Sequence, residues 1–192
     1  MVDLEVGALY FVTGGARSGK STFAERLASA SARPVVYLAT MEPLDEELTQ
    51  RVARHREGRP ADWRTIEAPL DLRAALEQAG PEACVLLDCL SLWVTNRLMP
   101  LGDPPARADL EALERALEAE LAALIEVQRG RAGELIVVTN EVGSGVVPPS
   151  ALGRVYRDLL GRANQQVSAA ASRAWLLVSG RALELPPLLE GQ

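Results

Sequence analysis

Short apolar runs alternate with longer segments of helical periodicity along this chain. The runs have the length of strands, and their nearly continuous hydrophobic character is typical of strands that are buried on both faces of a parallel sheet. The predicted strands are 9–12, 34–40, 63–67, 84–88, 134–139 and 175–178, with one further short strand at 183–185.

The segments between these runs carry apolar residues at helical spacing. Leu44, Leu48 and Val52, for example, recur every four residues, and Gly58 follows where a helix would stop. The predicted helices are 21–30, 44–57, 70–78, 91–99, 108–129 and 150–172, and 100–105 is predicted to be a loop. The alternation of strands and helices predicts an α/β fold with a mostly parallel sheet flanked by helices.

The longest predicted helix carries a stripe of leucines on one face, with glutamate and arginine on the other. This leucine stripe consists of Leu110, Leu113, Leu117, Leu121 and Leu124. It serves either the core or an oligomer interface, and the pattern leaves both open.

Length and charge narrow the class of protein. The 192 residues suit one domain, predicted to span 1–192 with peripheral termini at 1–6 and 186–192. A net charge of −6 without a basic block argues against nucleic acid as a partner. The acidic N-terminus and the lack of an apolar run of about 18 residues predict neither a signal peptide nor a membrane span, and so a cytoplasmic protein.

Cysteine and histidine are scarce. Cys84 and Cys89 bracket one predicted strand, and this spacing favours two small buried side chains over a disulfide or a metal pair. With one histidine and two cysteines in the chain, a zinc site is not expected.

The stretch 14–21, Gly-Gly-Ala-Arg-Ser-Gly-Lys-Ser, matches the phosphate-binding P-loop pattern G-x-x-x-x-G-K-[ST]. It lies between a predicted strand and a predicted helix, as a P-loop must. In this motif Lys20 reaches the β- and γ-phosphates and the Ser21 hydroxyl ligates Mg²⁺. The complete pattern in this context favours nucleotide binding over the alternative, a glycine-rich turn without a ligand.

Lys20 is the single lysine among 20 basic residues. A chain that otherwise uses arginine indicates that this position needs a compact ammonium group, although an arginine-rich coding bias is an alternative. The absence of a second lysine also argues against a regulatory GTPase, whose guanine-binding motif requires one.

Asp88 closes the apolar strand 84–88, which is the Walker B pattern of a carboxylate for the Mg²⁺ shell. The alternative is that Asp88 caps the following helix. Thr40 is the last residue of the predicted strand 34–40, and Asn140 and Glu141 follow the predicted strand 134–139. Because function in such folds lies at the carboxyl ends of the strands, we expect all four residues near the P-loop.

His55 is the only histidine, and two interpretations stay open for it. It shares a helix face with Leu48 and Val52, which is typical of a half-buried structural residue. Alternatively, a neutral imidazole can attack phosphorus and hold a nucleotidyl group as a phosphoramidate. Four neighbouring arginines could neutralise triphosphate charge: Arg51, Arg54, Arg56 and Arg59.

An ordered set of motifs adds a family resemblance to this interpretation. The set comprises 14–21, Tyr37-Leu38-Ala39-Thr40, Arg51-x-x-x-His55-x-x-x-Arg59-Pro60, Trp63-Arg64-Thr65-x-Glu67, Leu87-Asp88-Cys89-Leu90, 138–143, Val147-Pro148 and 161–165. With these motifs the chain closely resembles the bifunctional adenosylcobinamide kinase/adenosylcobinamide-phosphate guanylyltransferase family of cobalamin biosynthesis. The resemblance runs from about residue 9 to residue 179, nearly the whole chain.

The resemblance implies a P-loop NTPase-like, recombinase-like mostly parallel sheet on which two reactions occur. ATP or GTP first phosphorylates adenosylcobinamide. GTP then guanylylates a histidine, and adenosylcobinamide phosphate takes the GMP to give adenosylcobinamide-GDP. The resemblance further implies Mg²⁺ as the metal, with GTP and ATP as substrates and no tightly bound organic cofactor, and a homo-oligomer, specifically a trimer.

The resemblance also assigns residues. His55 becomes the guanylylated histidine, and Lys20 is expected to be catalytic with it. Ser21 and Asp88 are expected at the metal. The nucleotide contacts would be Gly14, Gly15, Ala16, Arg17, Ser18, Gly19, Lys20, Ser21, Ala39, Thr40, Met41, Arg56, Glu57, Gly58, Arg59, Glu67 and Asp88.

The chain departs from the family pattern in two places. Met41 stands where a small polar residue is more usual, and the stretch 179–183 replaces the usual Gly-Ile-Pro-like ending, a change that we expect to leave catalysis intact. Two other functions compete with the family interpretation: a simple small-molecule kinase with a structural His55, and a regulatory or assembly NTP-binding protein related to recombinase-like motors.

Overall fold

A computed structural model describes residues 4–41 and 60–187 of the chain. Within them seven strands form one sheet in the order β3-β2-β4-β5-β1-β6-β7. The strands are β1 Leu9–Gly14, β2 Val35–Ala39, β3 Arg64–Glu67, β4 Cys84–Asp88, β5 Leu135–Val138, β6 Arg173–Val178 and β7 Arg181–Leu185. The first six strands pair in parallel and β7 is antiparallel to β6, which confirms the predicted mostly parallel α/β sheet.

Five α-helices flank the sheet in the described part of the chain. They are α1 Lys20–Ser29, α2 Leu72–Ala79, α3 Leu90–Leu98, α4 Arg107–Arg129 and α5 Ala151–Ala170, and a short 3-10 helix spans Met99–Leu101. Asp71 caps α2 by accepting from Ala74 N at 2.9 Å, and Ser150 caps α5 by accepting from Gly153 N at 3.1 Å. The predicted helix 44–57 lies outside the described residues.

The prediction was wrong around β6. This strand begins at Arg173, two residues earlier than predicted, and α5 ends at Ala170, two residues earlier than predicted. A search for apolar runs omits Arg173 because it is charged. In the structure Arg173 forms two hydrogen bonds to the Glu184 carboxylate, at 2.6 and 2.7 Å, and its guanidinium lies over the Trp175 ring at 4.9 Å.

The predicted loop 100–105 was also wrong at its start, since Pro100 lies within the 3-10 helix, where a proline can occupy the first turn.

The sheet has a hydrophobic layer on each face. Leu9 and Phe11 of β1 point to the layer that contains α2, α3, α4 and α5, whereas Tyr10 and Val12 point to the layer that contains α1. This alternation follows from the two-residue period of a strand. Four members of the leucine stripe, from Leu113 to Leu124, are less than a tenth exposed and pack into the first layer, so the stripe serves the core.

Among the helices of the described residues, none combines the length and the apolar character that crossing a membrane requires.

Gly133→Ala is expected to lower the free energy of unfolding by about 1–3 kcal/mol, because the added methyl group must displace main-chain atoms. A Cβ atom on Gly133 would lie 1.9 Å from the carbonyl oxygen of Ala83. Urea unfolding at a fixed protein concentration measures the change.

The matched control is Gly130→Ala in the same turn. There the nearest atom, the carbonyl oxygen of Val127, is 3.6 Å from the added Cβ, and the φ of −86° suits alanine. This variant should stay within about 1 kcal/mol of the parent. Equal losses in both variants would show that the contact with Ala83 is not responsible.

Candidate nucleotide site

The P-loop connects the end of β1 to the start of α1, and its backbone is closely packed. A Cβ on Gly14 would lie 2.6 Å from both the Leu177 carbonyl oxygen and Ser18 Oγ. Gly19 caps α1 with a φ of +93°, a conformation that favours glycine. These two glycines are therefore required by the path of the backbone, as the motif predicts.

The amino end of α1 has the features of an anion site. No side chain caps the helix, and its first turn contains no acidic residue. The unpaired N–H groups and the positive end of the helix dipole are thus free of a competing carboxylate from this turn. Lys20 begins the helix, and its Nζ donates to the Gly15 carbonyl oxygen at 3.2 Å, so the ammonium group lies against the loop.

The turn between β6 and β7 supports the P-loop from the other side. Gly180 N donates to the Ser18 carbonyl oxygen at 2.8 Å, and a Cβ on Gly19 would lie 3.2 Å from Gly180 Cα. Ser179 and Gly180 both have positive φ, of 50° and 80°, which is typical of a tight hairpin turn. Sequence reasoning gave this turn no role. The Ser-Gly pair between two strand-like runs was the signal that could have revealed it.

Asp88 lies at the carboxyl end of β4, as predicted. Its Cα pairs with Ala39 of β2, which in turn pairs with Glu67 of β3. The Asp88 carboxylate accepts a hydrogen bond from the Tyr37 hydroxyl at 3.0 Å. Cys89, not Asp88, occupies the cap position of α3, and no side chain caps that helix. The alternative role of Asp88 as a helix cap is therefore wrong.

Thr40 follows β2 and is fully buried. Its hydroxyl donates to the Cys89 carbonyl oxygen and accepts from Cys89 N, both at 2.8 Å. Its own carbonyl oxygen accepts from Asn96 Nδ2 at 2.8 Å. The Thr40 hydroxyl thus ties the end of β2 to the peptide that follows Asp88. Ala39 and Met41 lie on either side of it, at the same edge of the sheet.

A chain of polar side chains, buried except for the half-buried Asn140, continues from this point towards β5. Cys89 Sγ lies 3.0 Å from Ser91 Oγ, which accepts from Asn140 Nδ2 at 3.0 Å. The Asn140 carbonyl oxygen accepts from Asn164 Nδ2 at 3.1 Å, and Asn164 Oδ1 accepts from Thr139 Oγ1 at 2.8 Å. Asn140 was expected at the site from its strand-end position. The partners Ser91 and Asn164 were not, because they come from helices.

Glu141 connects the end of β5 to the P-loop through its backbone. Its N–H donates to the Gly14 carbonyl oxygen at 3.0 Å, and its carboxylate accepts from Gly143 N at 2.6 Å and Ser144 N at 3.1 Å. The carboxylate therefore stabilises the turn at 141–144, which is joined to the P-loop through the Glu141 N–H.

The structure thus brings the P-loop, Ala39, Thr40, Met41, Glu67 and Asp88 to the carboxyl edge of one sheet. Glu67 is exposed at the end of the edge strand β3. His55, Arg56, Glu57, Gly58 and Arg59, which were predicted to bind or react with the nucleotide, lie outside the described residues.

Both thiols are held in their neutral form. Burial, together with the nearby Asp88 carboxylate, raises the pKa of Cys89 to about 11, and Lys20 opposes this shift. Burial and the Glu134 carboxylate raise the pKa of Cys84 to about 12. As predicted, the cysteines are free and buried.

Hard oxygen donors are available at this edge. Among residues 4–41 and 60–187, no group of three or more His, Cys, Asp or Glu side chains could hold a metal by itself. Ser21 offers a hydroxyl at the start of α1, and Asp88 offers a carboxylate at the carboxyl end of β4, which β5 separates from β1. This small oxygen set fits Mg²⁺, which is usually held by one or two protein oxygens together with substrate phosphates and water.

The sheet is mostly parallel, and the P-loop connects an interior strand, β1, to an uncapped helix. A carboxylate stands at the end of β4, two strands away at the same edge. These features define the class of P-loop nucleotide-binding proteins. Within this class, a model of the family "Cobinamide kinase / cobinamide phosphate guanyltransferase" matches residues 10–185. The chain belongs to this family, which confirms the resemblance seen in its motifs.

Curated relatives agree with the family model. The chain is 45% identical over 175 residues to "Bifunctional adenosylcobalamin biosynthesis protein CobU" of Escherichia coli K12, and the match covers 90% of this chain and 96% of that protein. The protein of the same name from Salmonella typhimurium LT2 is 43% identical with the same coverage. "Bifunctional adenosylcobalamin biosynthesis protein CobP" of Pseudomonas aeruginosa PAO1 is 43% identical over 182 residues, covering 94% of this chain and 96% of the relative.

A solved structure shares the fold alone. An ATPase from the type III secretion system of pathogenic bacteria superposes with a TM-score of 0.54 at 12% identity, covering 90% of this chain and 52% of the ATPase. This likeness confirms the P-loop NTPase-like architecture.

In the folded protein at pH 8 both thiols are expected to react slowly with Ellman's reagent. A pKa of about 11 leaves roughly one Cys89 thiol in a thousand ionised, and the thiolate is the reactive form. The rate should rise with pH towards 11, because more thiolate then forms. In concentrated urea both cysteines should react at once. Rapid labelling of the native protein at pH 8 would contradict the burial described here.

Proposed function

We propose that this protein is a bifunctional enzyme of cobalamin biosynthesis. It phosphorylates adenosylcobinamide with ATP or GTP and then transfers GMP from GTP to adenosylcobinamide phosphate, giving adenosylcobinamide-GDP. The observation that carries this proposal is the family match over residues 10–185, supported by relatives that are 43–45% identical over nearly their whole length.

For the kinase reaction, the P-loop supplies the means to hold and orient a triphosphate. Its backbone N–H groups and Lys20 would bind the phosphates, and the start of α1 would add a favourable field. Ser21 and Asp88 would hold Mg²⁺, whose positive charge offsets the charge on the phosphate oxygens. The hydroxyl of adenosylcobinamide then attacks the γ-phosphorus and the nucleoside diphosphate leaves.

For the guanylyl transfer, His55 is the proposed nucleophile. One nitrogen of its neutral imidazole attacks the α-phosphorus of GTP, the bond to the β-phosphate oxygen breaks, and pyrophosphate leaves. The phosphate of adenosylcobinamide phosphate next attacks the phosphoramidate and releases the imidazole. Two steps suit a bulky acceptor, because pyrophosphate can depart before the acceptor is placed.

The residues that neighbour His55 in the sequence support this role through their positive charge. Arg56 and Arg59 can offset the negative charge of a triphosphate, and we propose that Glu57, Gly58 and Glu67 complete the guanine nucleotide contacts with Ala39 and Met41. We further propose a cytoplasmic enzyme that assembles as a trimer.

Incubation of the pure protein with Mg²⁺ and GTP labelled at the α-phosphate tests the proposal. The denatured protein should retain the label, which should survive base and be lost in acid, as expected of a phosphoramidate. His55→Ala should not be labelled but should still phosphorylate adenosylcobinamide. GTP labelled at the γ-phosphate is the control, and it should leave no label on the protein.

An unlabelled wild-type protein that binds nucleotide and phosphorylates adenosylcobinamide would contradict the guanylyl step and leave a simple kinase. Labelling that persists in His55→Ala would place the intermediate on another residue. DNA-stimulated hydrolysis without either transfer would point instead to a motor-like ATPase.

A further inference from the structure

Tyr37 reaches the candidate metal carboxylate from the neighbouring strand. In the parallel register Tyr37 pairs with Leu86, so the next residue on the same face of β4 is Asp88. The two side chains are therefore diagonal neighbours on one face of the sheet, within reach of a long aromatic side chain. The Tyr37 hydroxyl donates to Asp88 Oδ2 at 3.0 Å.

The ring of Tyr37 is held firmly. Only 4% of the residue is exposed, and it packs in the layer between the sheet and α1, the helix that begins at Lys20. A phenol fixed in this layer gives its hydroxyl a defined position. It engages one carboxylate oxygen of Asp88, so it also determines the direction in which the other oxygen points.

Thr40 fixes the backbone at the same place. Its hydroxyl binds both the N–H and the carbonyl oxygen of Cys89, the residue after Asp88. β2 and the residue that follows it therefore hold Asp88 at two points, the carboxylate through Tyr37 and the following peptide through Thr40. Neither bond uses a group of the P-loop.

We propose that Tyr37 is a positioning residue that orients the Asp88 carboxylate for the Mg²⁺–nucleotide complex, with Thr40 holding the backbone behind it. This inference rests on the proposed role of Asp88 in the nucleotide site. It assigns a function to the Tyr37 hydroxyl. It also assigns the Thr40 hydroxyl to the backbone next to Asp88, whereas the family resemblance suggested that Thr40 contacts the nucleotide.

Tyr37→Phe tests the inference because it removes one oxygen and keeps the ring. Equilibrium binding of a non-hydrolysable GTP analogue is titrated with Mg²⁺, and also measured in EDTA. The Mg²⁺ concentration for half-maximal enhancement should rise about tenfold, the lower end of the ~10–100-fold effect of groups that orient metal ligands. Affinity in EDTA should not change, and the melting temperature checks that the fold is retained.

A double-mutant cycle with Asp88→Asn separates positioning from a merely structural effect. In the Asp88→Asn background, Tyr37→Phe should leave the Mg²⁺ response unchanged, because the oriented carboxylate is already gone. Thr40→Ser keeps a hydroxyl and should respond to Mg²⁺ like the wild type. Thr40→Val lacks the hydroxyl and should need a higher Mg²⁺ concentration than the wild type for half-maximal enhancement.

An unchanged Mg²⁺ response in Tyr37→Phe would overturn the inference, and so would an equal effect of this variant in both backgrounds. A normal Mg²⁺ response in Asp88→Asn would also overturn the inference, because the Asp88 carboxylate would then have no role in the Mg²⁺ response. If His55 is not labelled by GTP while the Mg²⁺ effect of Tyr37→Phe is observed, the guanylyl transfer fails and the positioning role stands.

Discussion

The parallel register of β2, β4, β5 and β1 is the constraint on which the site depends. Pairing Ala39 with Asp88, and Asp88 with Val138, sets the ends of three strands level beside the P-loop. A slip of one residue in β4 would turn Asp88 to the opposite face of the sheet, away from α1 and Tyr37. The buried apolar layers on both faces prevent such a slip, because it would also expose Leu86 and Leu87 to the wrong layer.

The polar groups behind the site are tolerated because they satisfy one another. Thr40, Ser91 and Asn164 are buried, and Asn140 is half-buried beside them. An unpaired hydroxyl or amide in a buried position costs about 1–3 kcal/mol. Hydrogen bonds from Cys89 N to Thr40, from Asn140 to Ser91 and from Asn164 to Asn140 join the ends of β2, β4 and β5 to α3 and α5. The strand end at Asp88 and the loop at Glu141 are thereby fixed without using the charged groups that a nucleotide needs.

Local patterns were enough to predict part of this structure. The P-loop motif predicted the strand, turn and helix around Lys20, and the apolar runs predicted the interior strands to within a residue or two. The position of Asp88 at the end of β4 was predicted correctly, because an apolar run that ends in a carboxylate is visible in the sequence. The hydrogen bond from Tyr37 was not, since it requires the register between two strands 49 residues apart, which no local pattern determines.

Charge and distance along the chain explain the other failures. Arg173 was left out of β6 because a charged residue interrupts the apolar pattern that predicts a strand. In the structure an ion pair with Glu184 on β7 accommodates this charge within the strand. The contact of Gly180 with Ser18 joins residues that are 162 positions apart, and only the folded sheet brings them together. The role of His55 depends on a segment outside the described residues, so it is inferred from sequence alone.

The position of β1 has a consequence for how the protein is made. This strand is synthesised early, yet it lies between β5 and β6, and the turn at Gly180 completes the backbone contacts of the P-loop. A ribosome that has reached residue 170 has already released the whole glycine-rich motif, but β6, one of the two neighbours of β1, has not yet been synthesised. The growing chain must therefore keep this apolar strand from other partners until its last strands emerge.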